Sequence, residues 1–178
     1  KAFTMNKFTE KVFFFLTWFF QGSNYLSPYG YGVMHRMHHA FADTEDDPHS
    51  PKYDETIWKM MWKTKTIYSD IANRRLIPDK RFTEGVPQWE AFDRFARSWP
   101  SRIFWAAIYI SIYAQFATAW WLWLLLPIQF LMSPVHGAII NWFAHKYGYR
   151  NFEGGDTSRN FLPVDFLMMG ESYHNNHH

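Results

Sequence analysis

Seven of the nine histidines in this 178-residue chain fall into three short arrays. The segment HRMHHAFADTEDDPHSP, residues 35–51, sets His35, His38 and His39 three and four positions apart, so a helix there turns all three imidazoles toward one face. The final GESYHNNHH repeats that spacing with His174, His177 and His178, and NWFAH places Asn141 and His145 one helical turn apart. Short arrays that aim ring nitrogens at a common point are what a metal cluster requires. One HxxHH is an ordinary polar pattern; two of them, joined by Asn141 and His145, point to ligation. His49, between Pro48 and Pro51, and His136, within an apolar stretch, are expected to be structural.

Imidazole suits zinc, copper, iron and nickel, so ligand type leaves the metal open. A structural zinc site closes at four ligands, whereas seven nitrogen donors are enough for two ions. A two-metal centre with neutral protein ligands keeps its positive charge and, with open positions, can bind and reduce dioxygen. Glu171 and the acidic run Asp43, Glu45, Asp46 and Asp47 are placed either to accept N–H bonds from ligand rings or to serve as ordinary helix-end and turn residues. Soluble di-iron bundles use Glu and Glu-x-x-His ligands, so this is a site of another type. The absence of cysteine excludes disulfides, thiolate ligands and a cysteine nucleophile, and a net charge of +2 supplies no field for nucleic acid.

The elements that must position these residues point to an all-α integral membrane protein. Ten Trp and eighteen Phe suit a chain that meets lipid, and 178 residues suffice for a single domain, 1–178, read as an excerpt incomplete at both ends. Residues 12–34 open with VFFFLTWFF, too short to span, and are expected to form an interfacial or re-entrant helix. Residues 35–51 carry the first histidine array and an acidic turn. Residues 52–100, charged with aromatic stripes at Trp58 and Trp62 and at Trp89, Phe92, Phe95 and Trp99, are expected to form a cytoplasmic helical cap. Arg74, Arg75, Lys80 and Arg81 there suit either a phosphate-bearing substrate or a solvated surface.

Residues 103–144 contain no Asp, Glu, Lys or Arg; as one helix they would reach about 60 Å, twice the hydrocarbon thickness, so a transmembrane hairpin turning near Ala117–Trp121 is expected. Arg97 and Arg102 precede it and Lys146 and Arg150 follow, which puts both outer ends on the cytoplasmic side. Residues 145–178 then form a cytoplasmic segment with the last array. An even number of crossings leaves all three arrays on one face of the membrane, the condition for a shared dimetal site.

HRMHHAFADTEDDPHSP, NWFAHKYGYRNF and GESYHNNHH resemble the second histidine box, the Asn/His element and the third histidine box of the membrane fatty acid desaturases, closest to the acyl-CoA (stearoyl-CoA type) branch. The resemblance covers nearly the whole chain. It implies an oxygen-dependent desaturase that introduces a cis double bond into a saturated long-chain acyl substrate, with acyl-CoA as the expected carrier and lipid or a carrier protein as alternatives. It implies two iron ions, replaceable by zinc on purification, with dioxygen as co-substrate. His35, His38, His39, His145, His174, His177 and His178 would be direct ligands, and Asn141 would hold a metal-bound water. The family's first box, HxxxxH, is absent from this stretch; the opening KAF resembles the residues that follow it. No haem segment is present, so electrons are expected from a separate donor such as cytochrome b5 or ferredoxin. The competing readings are a membrane di-iron hydroxylase of the alkane or sterol type, and a non-catalytic metal-binding membrane protein.

Overall fold

The computed structural model describes residues 4–166, 168 and 170–178; Lys1, Ala2 and Phe3, the KAF of the sequence reading, lie outside the described residues. In chain order the helices are α1 (Lys7–Gln21), a 3-10 turn (Gly22–Asn24), α2 (Pro28–Phe41), α3 (Ile57–Ala72), α4 (Lys80–Thr83), α5 (Glu90–Ala96) and α6 (Trp99–Phe116). A 3-10 segment (Trp120–Leu124), α7 (Leu125–Ala138), a π-helical turn (Ile139–Phe143) and α8 (His174–His177) complete the series. Among the described residues there is no strand, only the isolated bridges Tyr149–Asn160 and Asn160–Tyr173. The chain forms two compact units: residues 1–32 with 79–133, and residues 33–78 with 134–178. The stretch 52–100 is thus shared, α3 belonging to the second unit and α4 and α5 to the first.

The first unit is an aromatic cluster. Asn6 caps α1 by accepting the Thr9 N–H at 2.8 Å, which satisfies one of the orphan donors at the helix start. From α1, Trp18 meets Phe92, Phe95, Phe104 and Trp105 with ring centroids 5.9, 6.0, 6.2 and 5.3 Å away, and its indole N–H donates to the buried Ser101 hydroxyl at 2.7 Å. Such aromatic pairs add about 0.5–1.5 kcal/mol each beyond area burial. α1 ends where Gly22 takes φ 56°, and a Cβ there would stand 1.8 Å from the Tyr109 hydroxyl. Only glycine lets the chain turn that close to α6. The buried Asp93 accepts from Tyr25 (2.8 Å), Ser27 (3.0 Å) and Arg97 (3.2 Å), so its charge is compensated.

α6 stops at Phe116 and helix resumes at Trp120, within the stretch expected to turn. Tyr109 meets Phe130 and Tyr113 meets Trp123, at 5.8 and 5.9 Å between centroids, so the two segments run antiparallel. One helix among the described residues, Trp120–Phe143, is long and apolar enough to cross a membrane. α6 falls short of that standard, its Trp, Tyr, Ser and Gln lowering its hydropathy, and the uncharged stretch after Arg102, Ile103–Phe116, is only about 21 Å long. Pro134 sits inside α7, a position membrane helices tolerate.

The second unit is polar inside. α2 terminates at Phe41, and Asp43 adopts φ 58°, a left-handed conformation that Asp tolerates better than most residues. The turn that follows is fastened to α3: the Lys63 ammonium donates to the Asp47 carbonyl at 2.9 Å and the Thr64 hydroxyl to the Pro48 carbonyl at 3.1 Å. Met60 and Ile71 of α3 are fully buried. Ahead of the last histidine array, Asp165 accepts the N–H groups of Met168, Gly170 and Ser172 at 2.7, 2.9 and 2.8 Å and so folds the approach to α8.

Candidate metal centre

All seven arrayed histidines lie in the second unit, and they converge as two groups. His38, His145, His174 and His178 form one, His35, His39 and His177 the other, the ligating atoms of each lying within 4.8 Å of one another. Each HxxHH array is divided. On α2, at about 100° per residue, His39 stands about 40° to one side of His35 and His38 about 60° to the other. The i, i+4 pair His35 and His39 therefore serves the three-histidine group, while His38 turns to the four-histidine group. The terminal array does the reverse: His174 and His178 join the group of four, and His177 joins the group of three. The sequence expectation of one face per array gives way to this reciprocal arrangement, set by helical geometry.

In the smaller group the Nε2 atoms form a triangle with edges of 3.0 Å (His35–His177), 3.1 Å (His35–His39) and 3.2 Å (His39–His177). In the larger group the Nε2 atoms of His38 and His178 are 2.9 Å apart, and those of His145 and His174 3.0 Å apart. Hydrogen bonding alone cannot satisfy such a triangle. Each Nε2 is either N–H or lone pair, so among three at least two are alike and repel. A central cation removes the conflict because all three lone pairs then face it. Metal–nitrogen bonds of about 2.0–2.1 Å separate neighbouring ligand nitrogens by about 2.9–3.4 Å, and the observed edges fall within that range.

In three of the four rings of the larger group, His38, His145 and His178, the opposite ring nitrogen is held so that Nε2 is left bare. His38 Nδ1 lies 2.9 and 3.0 Å from the two Asp47 carboxylate oxygens, His178 Nδ1 lies 3.1 Å from Asp156 Oδ2, and His145 Nδ1 lies 3.1 Å from the Thr157 hydroxyl. An acceptor at Nδ1 keeps the proton there and orients the ring, as in carboxylate–histidine–metal triads. Asp43 reinforces Thr157 by accepting its backbone N–H. Of the acids considered from sequence, Asp47 and Asp43 take part. Glu171 is exposed, and the carboxylate on the terminal array is Asp156, from a GGDTS loop with no periodic signal to reveal it.

Burial keeps five of the rings neutral. Desolvation, followed by the neighbouring histidines, lowers His35 to about 3 and His39 to about 4. Desolvation lowers His178 to about 4, with His38 adding to it and Asp156 opposing it. His145 and His174 are lowered by the same burial. For Asp43 and Asp156 burial acts upward, yet hydrogen bonds from Ser50 and Thr157, and from Ser158 and His178, outweigh it and keep both carboxyls below their usual range. His35, His39, His145, His174 and His178 are therefore uncharged at neutral pH, while Asp43 and Asp156 are charged.

Three further residues complete the account. His49, expected to be structural, is buried with its ring 4.0 Å from that of His38, and with Asp47 these two make a third cluster of donors. That cluster supports the site rather than adding one, because His38 Nδ1 is engaged by Asp47 and its Nε2 faces the four-histidine group. Asn141 lies half-buried in the π-helical turn, whose wider winding replaces the α-helical spacing to His145. His136 is exposed on α7.

The chain is similar to known proteins over its whole length. The profile of the family described as "Fatty acid desaturase" matches residues 1–178. The chain is 31% identical to Delta-9 desaturase-like 1 protein of Arabidopsis thaliana, covering 100% of this chain and 56% of that protein. It is 30% identical to Delta-9 acyl-lipid desaturase 2 of the same plant (81% and 45%), and 29% identical to sn-1 stearoyl-lipid 9-desaturase of Synechocystis sp. (82% and 43%). It spans about half the length of the curated relatives it matches. No solved structure matches it significantly. Two converging groups of imidazoles and a profile match from end to end lead to one conclusion: the chain belongs to the fatty acid desaturase family.

Proposed function

We propose that the protein containing this chain is an oxygen-dependent desaturase that introduces a cis double bond into a saturated fatty acyl chain. The observation that carries this reading is the convergence of seven imidazole nitrogens into two adjacent groups. His38, His145, His174 and His178 would hold one metal ion and His35, His39 and His177 the other, with Asn141 placing a water. Two iron ions, with dioxygen as co-substrate, would supply the oxidising power to remove hydrogen from neighbouring methylenes. The chain's own residues do the rest. Asp47, Asp156 and Thr157 keep the proton on Nδ1 of three rings, and burial of His38, His145 and His174 keeps water from competing for the Nε2 atoms.

The family relationship and the helix Trp120–Phe143, long and apolar enough to cross a membrane, support a membrane protein. In this reading α6 and the Trp120–Phe143 helix form the transmembrane hairpin, and the histidine groups and α3 lie on the cytoplasmic side. Exposed Ile110, Phe116, Ile128 and Leu131 on those segments suit contact with lipid. The relatives' names, acyl-lipid and stearoyl-lipid desaturases, favour a lipid-bound chain over the acyl-CoA expected from the motifs. A separate donor, cytochrome b5 or ferredoxin, would deliver electrons.

The test is to supply membranes containing the full-length protein with isotopically labelled stearoyl lipid and, separately, stearoyl-CoA, and to identify the product by mass spectrometry. A labelled cis-alkene is expected, and the carrier on which it appears decides between the two substrates. A hydroxylated chain would replace this reading with a hydroxylase.

A further inference from the structure

We infer that Asn175, lying between the ligands of the terminal array, is a positioning residue that acts on the four-histidine group through the loop 151–158. This rests on the metal-centre reading above. The loop has neither helix nor strand to hold it, and Gly154 and Gly155 at its middle leave it conformationally free. Yet it must present Asp156 to His178 and Thr157 to His145, each to within 3.1 Å.

Asn175 fastens both ends of that loop. Its Oδ1 accepts the backbone N–H groups of Asn151 (2.8 Å) and Phe152 (2.9 Å). Its Nδ2 donates to the Phe152 carbonyl (3.0 Å) and to the Ser158 hydroxyl (3.4 Å). All four hydrogen-bonding valences of the amide are used, at a side chain only 4% exposed. The arrangement is directional, since a flipped amide would set its NH2 against two N–H donors and its oxygen against a carbonyl. Asn176 adds a lesser tie, its Oδ1 accepting from the side-chain amides of Asn151 and Asn160 at 3.0 Å each.

The consequence is selective. Asp156 and Thr157 bond to the rings of His178 and His145, both members of the four-histidine group; at the other group the loop acts through the charge of Asp156 on His39, which orients no ring. Loss of Asn175 therefore loosens one metal position and spares the other.

The experiment is a double-mutant cycle on the purified full-length protein, titrated with cobalt(II) and read from its visible absorption bands and bound metal per chain. Circular dichroism confirms folding of each variant. Asn175→Ala is expected to weaken one of two cobalt sites about 10–100-fold, the range for losing an orienting partner, and to leave the other unchanged. Asp156→Asn should weaken the same site, and the double variant should lose less than the two single losses combined, because Asn175 acts through Asp156. If Asn175→Ala does not fold, Asn175→Asp serves instead: it keeps the acceptor for Asn151 and Phe152 but opposes an oxygen to the Phe152 carbonyl, and an intermediate weakening of the same site is expected. Wild-type affinity at both sites in a folded variant, equal loss at both, or full additivity with Asp156→Asn would overturn the role of Asn175. Failure of the wild-type protein to bind cobalt would instead overturn the metal centre.

Discussion

The two compact units solve the problem of an interior in opposite ways. In the first, Trp18 and the rings around it make a core of non-directional contacts, and the buried acid Asp93 is surrounded by donors from its own unit. In the second, the histidine groups are ordered by directional bonds to Asp47, Asp156 and Thr157, with His38, His145 and His174 buried. An apolar core tolerates imprecision, because dispersion and desolvation vary slowly with position. A ligand cluster does not: its nitrogens must sit within a few tenths of an ångström of the bonding distances, and the second anchors on His38, His145 and His178 serve that need. The difference teaches that in the second unit folding and site construction are one process, and in the first they are separate.

The sharpest way to break this comparison is one large deletion in each unit. Trp18→Ala, at a half-buried ring, should cost about 2–3 kcal/mol of stability, below the roughly 3–5 kcal/mol of a fully buried aromatic truncation, measured by thermal or denaturant unfolding of metal-free protein. The molecules that remain folded should bind metal with unchanged affinity. His38→Ala should do the converse: the metal of the four-histidine group is lost, while the site of His35, His39 and His177 still fills. A Trp18→Ala protein that folds but binds metal poorly would show that the units are not independent in this sense.

A subtler variant tests whether ordering and folding coincide in the second unit. Asp47 holds His38 and also accepts the backbone N–H groups of Asp43 (2.9 Å) and His49 (3.0 Å), closing the turn after α2. In Asp47→Asn one carboxylate oxygen becomes an NH2 facing a donor. Metal affinity should fall about 10–100-fold, and the metal-free protein should lose a further 1–3 kcal/mol, the usual cost of stranding a buried polar group. Loss of affinity with no loss of metal-free stability would separate the two roles.

How far this was legible in the sequence follows the same division. The HxxHH spacings announced the histidines that come together, since helical periodicity is local, and the uncharged run from Ile103 announced an apolar pair of segments broken near Ala117. The reciprocal split of the arrays was not legible, because which ring goes to which group depends on two elements more than 130 positions apart, His35 with His177 being separated by 142. Asp156 and Thr157 were invisible for a related reason: a loop of Gly, Asp, Thr and Ser carries no period, and its shape is dictated by a side chain near the far end of the chain. His49 is a buried turn residue between prolines, and the packing of its ring on His38 is a contact that the flanking sequence does not announce. The division at Pro78 within the stretch 52–100 left no mark in composition, since both halves are amphipathic helices.

The smallest effect sharpens the comparison by being the same in both units. α1 and α3 each begin with a side chain that accepts a backbone N–H from the first turn: Asn6 from Thr9 at 2.8 Å, and Thr56 from Lys59 at 3.2 Å. Replacing either by alanine removes one such bond at an exposed position and should cost about 1 kcal/mol, a shift of a few degrees in melting temperature for a chain of this size. Neither cap touches an imidazole or its anchor, so metal stoichiometry and affinity should stay at wild-type values in both variants. If Thr56→Ala alone reduced metal binding, α3 would be transmitting strain to the Asp47–Pro48 turn through Lys63 and Thr64, and the second unit would be ordered over a longer range than its hydrogen bonds imply.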